Sequence, residues 1–186
     1  RALEAGCTHA IIEMSSEGAK QSRHRFIDLD ALIFTNLAPE HIEAHGSYAA
    51  YATAKMKLAH ALEHSPKKNR AIATNRDDEF GRTLLRLNVP ARLSYALKDV
   101  EPYKADDAHA AFTLEGLTIV TRLSGEFNIA NMLAAATLAH HLGISQEVIK
   151  RALERLHEIP GRAQRINEGQ GFSVIVDYAH TPESLE

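Results

Sequence analysis

Short apolar runs rich in Ile, Val and Leu alternate along the chain with longer stretches whose apolar residues recur every three or four positions, the pattern of α/β units around a mostly parallel sheet. Strands are expected at His9 to Met14, Ala31 to Thr35, Ala71 to Thr74, Arg92 to Ala96 and Ser173 to Tyr178. Helices are expected at Ser47 to Glu63, Asp77 to Leu87, Asn128 to Leu142 and Ser145 to Leu156. Two further runs, Ala110 to Leu114 and Leu117 to Arg122, straddle Glu115-Gly116 and predict a two-stranded hairpin. Gly143 is placed to close one helix and Ser145 to cap the next. Lys98 to His109 is polar and is expected as an exposed loop. Glu158-Ile159-Pro160-Gly161-Arg162 stops the last helix, so residues 1–159 are expected to form one domain and 160–186 the first strands of a second α/β domain.

Composition narrows the class. A chain of 186 residues holds one full domain and a piece of another. With 45% hydrophobic and 24% charged residues it can build a core. Lys plus Arg number 21 against 24 Asp plus Glu, a net charge of -3, which argues against a general nucleic-acid binder. The lone cysteine, Cys7, excludes an internal disulfide framework and a thiolate-rich zinc site, and fits a reducing compartment. No apolar run approaches the roughly 20 residues that span a bilayer, and Arg1-Ala2-Leu3-Glu4 lacks the layout of a signal peptide, so a cytoplasmic protein is expected. The missing initial Met and an end at Ser184-Leu185-Glu186 suggest a segment of a longer protein.

Polar residues interrupt apolar runs where a parallel sheet presents its carboxyl ends, the place where such folds bind ligands. Ile11-Ile12 runs into Glu13 and Ser15-Ser16, Ile33-Phe34 into Thr35-Asn36, Ile72-Ala73 into Asn75 and Asp77-Asp78, and Val174-Ile175-Val176 into Asp177 and His180. Four such ends favour a shared polar site. At roughly 100° per residue, Tyr48, Tyr51, Ala52, Leu58, Ala59 and Leu62 form one stripe of the Ser47 to Glu63 helix, with Lys55 in its middle and Lys57 opposite. Lys55 is therefore expected to be partly buried, either snorkelling or serving as a neutral amine. Glu40-His41 and His45, with Glu13, offer an oxygen and nitrogen set suited to Mg²⁺ or Mn²⁺. Most of the 11 histidines read as surface or cap residues, and His64, His140 and His141 have no companions that suggest chemistry. Asn128 and Asn131 share the first turn of an apolar helix, where a carboxamide suits a purine edge as well as an N-cap.

Taken in order, Glu13-Met14-Ser15-Ser16, Phe34-Thr35-Asn36-Leu37 with Glu40-His41 and His45-Gly46, Ala54-Lys55-Met56-Lys57-Leu58, Asn128 with Asn131, Pro160-Gly161-Arg162 and Asp177-Tyr178-Ala179-His180-Thr181-Pro182 resemble the motifs of Mur ligases. The likeness covers nearly the whole chain and is greatest to the MurE type, UDP-N-acetylmuramoyl-tripeptide synthetase. It implies the P-loop NTPase-like central domain of that family and an ATP-dependent amide ligase of peptidoglycan synthesis. ATP would phosphorylate the carboxylate of UDP-N-acetylmuramoyl-L-Ala-D-Glu, and an incoming amino acid would attack the acyl phosphate. By the same resemblance Glu13 and His41 would hold Mg²⁺, and Lys55 would be carbamylated and help to place a second Mg²⁺. Ser15, Gln21 and Arg23 would contact the nucleotide-linked peptide. Asn128 and Asn131 would read adenine, Arg162 would reach the ATP phosphates, Asp177 would accept the ribose hydroxyls, and His180 would neighbour that site.

The sequence also departs from the family pattern. It has no glycine-rich run ending Gly-Lys-Thr, and the family's uridine-holding and amino-acid-selecting portions are missing, so this chain alone is expected to lack ligase activity. Glu17 stands where MurE-type enzymes commonly have His, and Pro39-Glu40 where they have Arg-Asp. The rival readings are another member of the superfamily, such as folylpolyglutamate synthetase, and a non-catalytic nucleotide- or metal-binding module.

Overall fold

The computed structural model describes residues 1–38, 45–106 and 108–180. Its centre is a three-stranded parallel sheet in the order β1 (Ala31–Phe34), β2 (Ala71–Asn75), β3 (Ala91–Tyr95), in which Ala31 is paired with Ala71 and Ala71 with Ala91. Parallel neighbours need crossovers. These are α2 (Tyr48–Glu63), between β1 and β2, and α3 (Glu79–Leu84), between β2 and β3. Central β2 is buried from Ala71 to Thr74, as expected of a strand covered on both faces. Its Ile72 joins Phe34, Tyr51, Leu62, Leu84 and Val89 in one core. Helix α4 (Glu126–His141) packs against all three strands.

A second core lies between α4, α5 (Gln146–Arg155) and an antiparallel sheet of β4 (Lys104–Ala105), β5 (Ala110–Leu114) and β6 (Leu117–Thr121). The predicted hairpin is present, with Leu114 paired with Leu117. Gln164–Ile166 (β7) and Val174–Val176 (β8) make a separate antiparallel pair. A short helix α1 (Ser16–Lys20), which the periodicity did not predict, packs against α2.

The helix boundaries follow their caps. Ser47 accepts from the Ala50 N–H and starts α2 as expected, whereas Asp78, not Asp77, caps α3 and accepts from the Gly81 N–H. Helix α4 begins before the predicted Asn128, because Gly125 at φ 85 turns the chain directly into it. Gly143, at φ 87, closes α4 as expected. The region expected to be one polar loop after Lys98 holds the end of a 3₁₀ turn (Leu97–Val100) and strand β4.

One predicted strand is not formed. His9 to Met14 joins no sheet, and Ile11 and Ile12 stand exposed. An apolar run becomes a strand only where a neighbour supplies ladder hydrogen bonds, and none of the described strands pairs with it.

Candidate functional site

The first group of predicted residues gathers where α1 meets α2. Ser15 Oγ accepts from the Gly18 N–H at 3.1 Å and so starts α1. Buried Ser16 brings its Oγ to 3.0 Å from Nε2 of His45. The His45 ring lies 5.3 Å from that of Tyr51, and Lys55 Nζ stands 5.6 Å from the centre of the same tyrosine ring. As the helical stripe predicts, Lys55 is half-buried while Lys57 is exposed. An unbroken series of contacts thus runs from α1 to Lys55. Its middle member, Tyr51, was legible only as a core residue.

Gln21 organises the far end of α1. It accepts from Nε of Arg23 at 2.9 Å and donates to Glu17 at 3.4 Å. A Cβ at Gly18 would lie 2.7 Å from Sδ of Met14 and 3.6 Å from Cδ of Arg23, so the small residue lets both side chains pass over the helix. Ser15, Gln21 and Arg23 therefore share one surface, with an exposed glutamate, Glu13, immediately before it.

The divalent-cation set is narrower among the described residues. His41 lies outside them, and no group of three His, Cys, Asp or Glu side chains within them is arranged to hold a metal. Glu13 supplies one hard oxygen donor, and Lys55 could add another only as a carbamate. Such a set fits Mg²⁺ shared with phosphate oxygens and water, the manner in which Mg²⁺ is commonly bound, and not an ion caged by protein.

At the sheet's carboxyl edge the polar residues hold the fold together. Asp78 Oδ2 accepts from the Leu37 N–H at 2.8 Å while its Oδ1 caps α3. Asp77 Oδ2 accepts from the Leu97 N–H at 2.8 Å, and Arg76 forms an ion pair with Asp99. Buried Tyr95 donates its hydroxyl to the Phe34 carbonyl at 2.9 Å, reaching from β3 to β1. Burial raises the Tyr95 phenol above its ordinary range, and the nearby charges of Asp78 and Asp77 raise it further. The four expected strand ends do not belong to one sheet. Those of β1 and β2 adjoin, Glu13 follows a segment outside the sheet, and Asp177 follows the separate β7–β8 pair.

The two asparagines differ in environment. Asn128 is buried and donates Nδ2–H to the Ser124 carbonyl at 2.7 Å, whereas Asn131 is exposed. Because α4 starts early, Asn128 sits within its first turn and holds the preceding loop. Around β8, Asp177 accepts from the Ala179 N–H at 2.6 Å and also from the Ala163 N–H. The Arg162 guanidinium stacks 4.9 Å from the Tyr178 ring centre, and His180 stands edge-on to that ring at 5.0 Å. Arg162, Asp177 and His180 are thus brought together and exposed.

Comparison with known proteins gives the family and the fold. Residues 1–139 match the family model for the Mur ligase middle domain. The chain is 32% identical over 193 residues to a UDP-N-acetylmuramoyl-L-alanyl-D-glutamate–2,6-diaminopimelate ligase of Halalkalibacterium halodurans, covering 98% of this chain and 39% of that protein. It is 38% identical over 204 residues to a UDP-N-acetylmuramyl-tripeptide synthetase of Roseiflexus, covering 98% of this chain and 40% of the other. The chain thus spans about two fifths of the length of the curated relatives it matches. A crystal structure of MurF from Acinetobacter baumannii superposes with a TM-score of 0.72 at 19% identity, over 86% of this chain and 36% of that one, a likeness of fold.

Proposed function

The chain belongs to the Mur ligase family, and on that premise we propose that the protein it represents is a MurE-type ligase, joining an amino acid to UDP-N-acetylmuramoyl-L-Ala-D-Glu at the expense of ATP. The observation that carries this reading is the α1–α2 junction. There Lys55 is half-buried against Tyr51, and Ser15, Gln21 and Arg23 line the helix packed beside it. Arg23, oriented by Gln21, suits a carboxylate or phosphate of the nucleotide-linked peptide. Ser15 offers its hydroxyl on the same surface.

The reaction proceeds by phosphorylation of the substrate carboxylate and attack of the amino acid's amine on the acyl phosphate, with phosphate leaving. Mg²⁺ held by Glu13 and His41, and a second Mg²⁺ placed with the help of a carbamate on Lys55, would offset phosphate charge. Asn128 and Asn131 belong to the adenine side, and Arg162, Asp177 and His180 to the phosphate and ribose side. Residues 1–159 correspond to the central ATP-binding domain and 160–186 to the start of the C-terminal domain. The names of the relatives make 2,6-diaminopimelate the first amino acid to test. A cytoplasmic location agrees with nucleotide substrates, and no described helix is long and apolar enough to cross a membrane.

The test is phosphate release by the protein from the complete reading frame, given MgATP, the UDP-linked dipeptide and candidate amino acids one at a time. Release should require the nucleotide and one diamino acid. Lys55→Ala should abolish it, with partial rescue by a small carboxylate. Glutamate addition to folate in place of this reaction would overturn the reading, and turnover indifferent to Lys55→Ala would return Lys55 to a structural role.

A further inference from the structure

His60 and His64 lie one turn apart near the end of α2, the end that leads to the amino edge of the sheet. The sequence left His64 without a companion; the fold gives it one. The two rings stand edge-on with centroids 6.4 Å apart. Each ring uses the same nitrogen for support. Nδ1 of His60 faces Glu63 Oε2 at 3.2 Å, and Nδ1 of His64 faces the His60 carbonyl at 2.8 Å. Carboxylate and carbonyl oxygens only accept, so Nδ1 carries the proton in both neutral rings and Nε2 keeps its lone pair. A carboxylate or carbonyl behind the ring is the support that metal-ligating histidines use.

Glu63 is itself fixed. Its Oε1 accepts from the Asn88 N–H at 2.8 Å. That bond leaves Oε2 facing His60, so the carboxyl is fixed behind the ring. Both histidines are exposed.

We propose that His60 and His64 form a two-histidine site for a divalent transition metal of the Zn²⁺ class, bound through the two Nε2 atoms with water completing the coordination. Imidazole nitrogen suits Zn²⁺, Cu²⁺ and Ni²⁺ and not the hard ions of phosphate chemistry. An ion about 2.0–2.1 Å from each nitrogen sets ring centres roughly 4.5–6.4 Å apart over coordination angles from about 90° to about 180°. The observed separation lies at the open end of that span, so the two rings would turn toward each other to reach the tetrahedral angle. His60-Ala61-Leu62-Glu63-His64 has the spelling of an inverted zinc-hydrolase motif. Here, however, both oxygens of Glu63 are occupied, one by Asn88 and one by His60. The glutamate therefore positions a ligand and does not act on water, and the ion would clip the last turn of α2.

The experiment uses the full chain, stripped with chelator, with Zn²⁺ titrated by calorimetry and Cu²⁺ followed by electron paramagnetic resonance. One Zn²⁺ should bind with His60→Ala or His64→Ala each weakening it at least about tenfold, and Glu63→Gln weakening it by about tenfold through loss of support. His140→Ala and His141→Ala should leave it unchanged. The Cu²⁺ spectrum should carry two nitrogen couplings, and circular dichroism should show all variants folded as the parent. Binding indifferent to His60 and His64, binding lost only with Cys7→Ser, or a copper spectrum without two nitrogens would overturn the site.

Discussion

Replacing Gly81 by Ala sets two opposing effects against each other. Ala is favoured over Gly inside a helix by about 0.8–1.0 kcal/mol, and Gly81 is not among the residues with positive φ, so backbone strain does not enter. Space does. A Cβ built on Gly81 lies 1.9 Å from the Asn75 carbonyl oxygen and 3.4 Å from Cδ1 of Phe34. An unstrained carbon–oxygen contact is about 3.3 Å or longer, so α3 must back away from the end of β2 by more than an ångström. Several contacts resist that movement. The Gly81 N–H is capped by Asp78 at 2.9 Å, the Arg76 N–H is held by the Tyr95 carbonyl at 2.9 Å, and Leu84 is buried in the core beneath. Overpacking of this kind costs about 1–3 kcal/mol, and a weakened cap adds about 1 kcal/mol. Against the propensity gain, Gly81→Ala should destabilise by about 1–3 kcal/mol. Urea unfolding followed by far-ultraviolet circular dichroism should show a midpoint lower by on the order of 1 M. Gly171, where a Cβ meets nothing within 4 Å, is the control, and Gly171→Ala should stay within about 0.5 kcal/mol of the parent. A midpoint for Gly81→Ala equal to or above the parent's would refute the reasoning.

Two further outcomes follow from particular hydrogen bonds. Tyr95→Phe keeps the ring but strips the Phe34 carbonyl of its partner in a buried setting, which should lower stability by about 1–3 kcal/mol in the same unfolding experiment; no measurable change would remove the cross-sheet bond from the account. Glu63 has a carboxyl lowered from 4.5 by the Asn88 N–H and by His60, so its contribution is present above the unfolded value and lost as pH falls through the folded one. Thermal melts from about pH 7 to about pH 3 should show Glu63→Gln converging on the parent in acid, and a gap that widens in acid would contradict that sign.

What the sequence disclosed depended on whether a feature was local. Strands β1, β2 and β3, the hairpin about Glu115-Gly116 and the half-burial of Lys55 follow from periodicity and turn chemistry, which act over a few residues. His9 to Met14 carries the apolar signal of a strand, yet strand formation depends on a neighbour, and periodicity does not report neighbours. The roles of Asp77, Asp78 and Tyr95 were hidden for the same reason, since each bonds to a residue at least 20 positions away. Of the candidate site, Ser15, Gln21, Arg23 and Lys55 are gathered by the packing of α1 on α2, which no motif spelled out, and His45 and Tyr51 join them only in space. His41 falls outside the described residues. Asn128 has a structural task that residue type did not announce, because one N–H of its amide holds the Ser124 carbonyl.

The division of labour at Asp78 restricts which amino acids that position can accept. As a helix cap alone, Asn is the equal of Asp. But the carboxylate receives two N–H groups, Gly81 on one oxygen and Leu37 on the other. An Asn that turned its oxygen to Gly81 would present an NH₂ to the Leu37 N–H, two donors face to face; the flipped amide would do the same to Gly81. A pair of residues interchangeable at an ordinary cap is thus told apart here by the loop after β1, and the choice between one oxygen and two is imposed from the far side of a strand crossover.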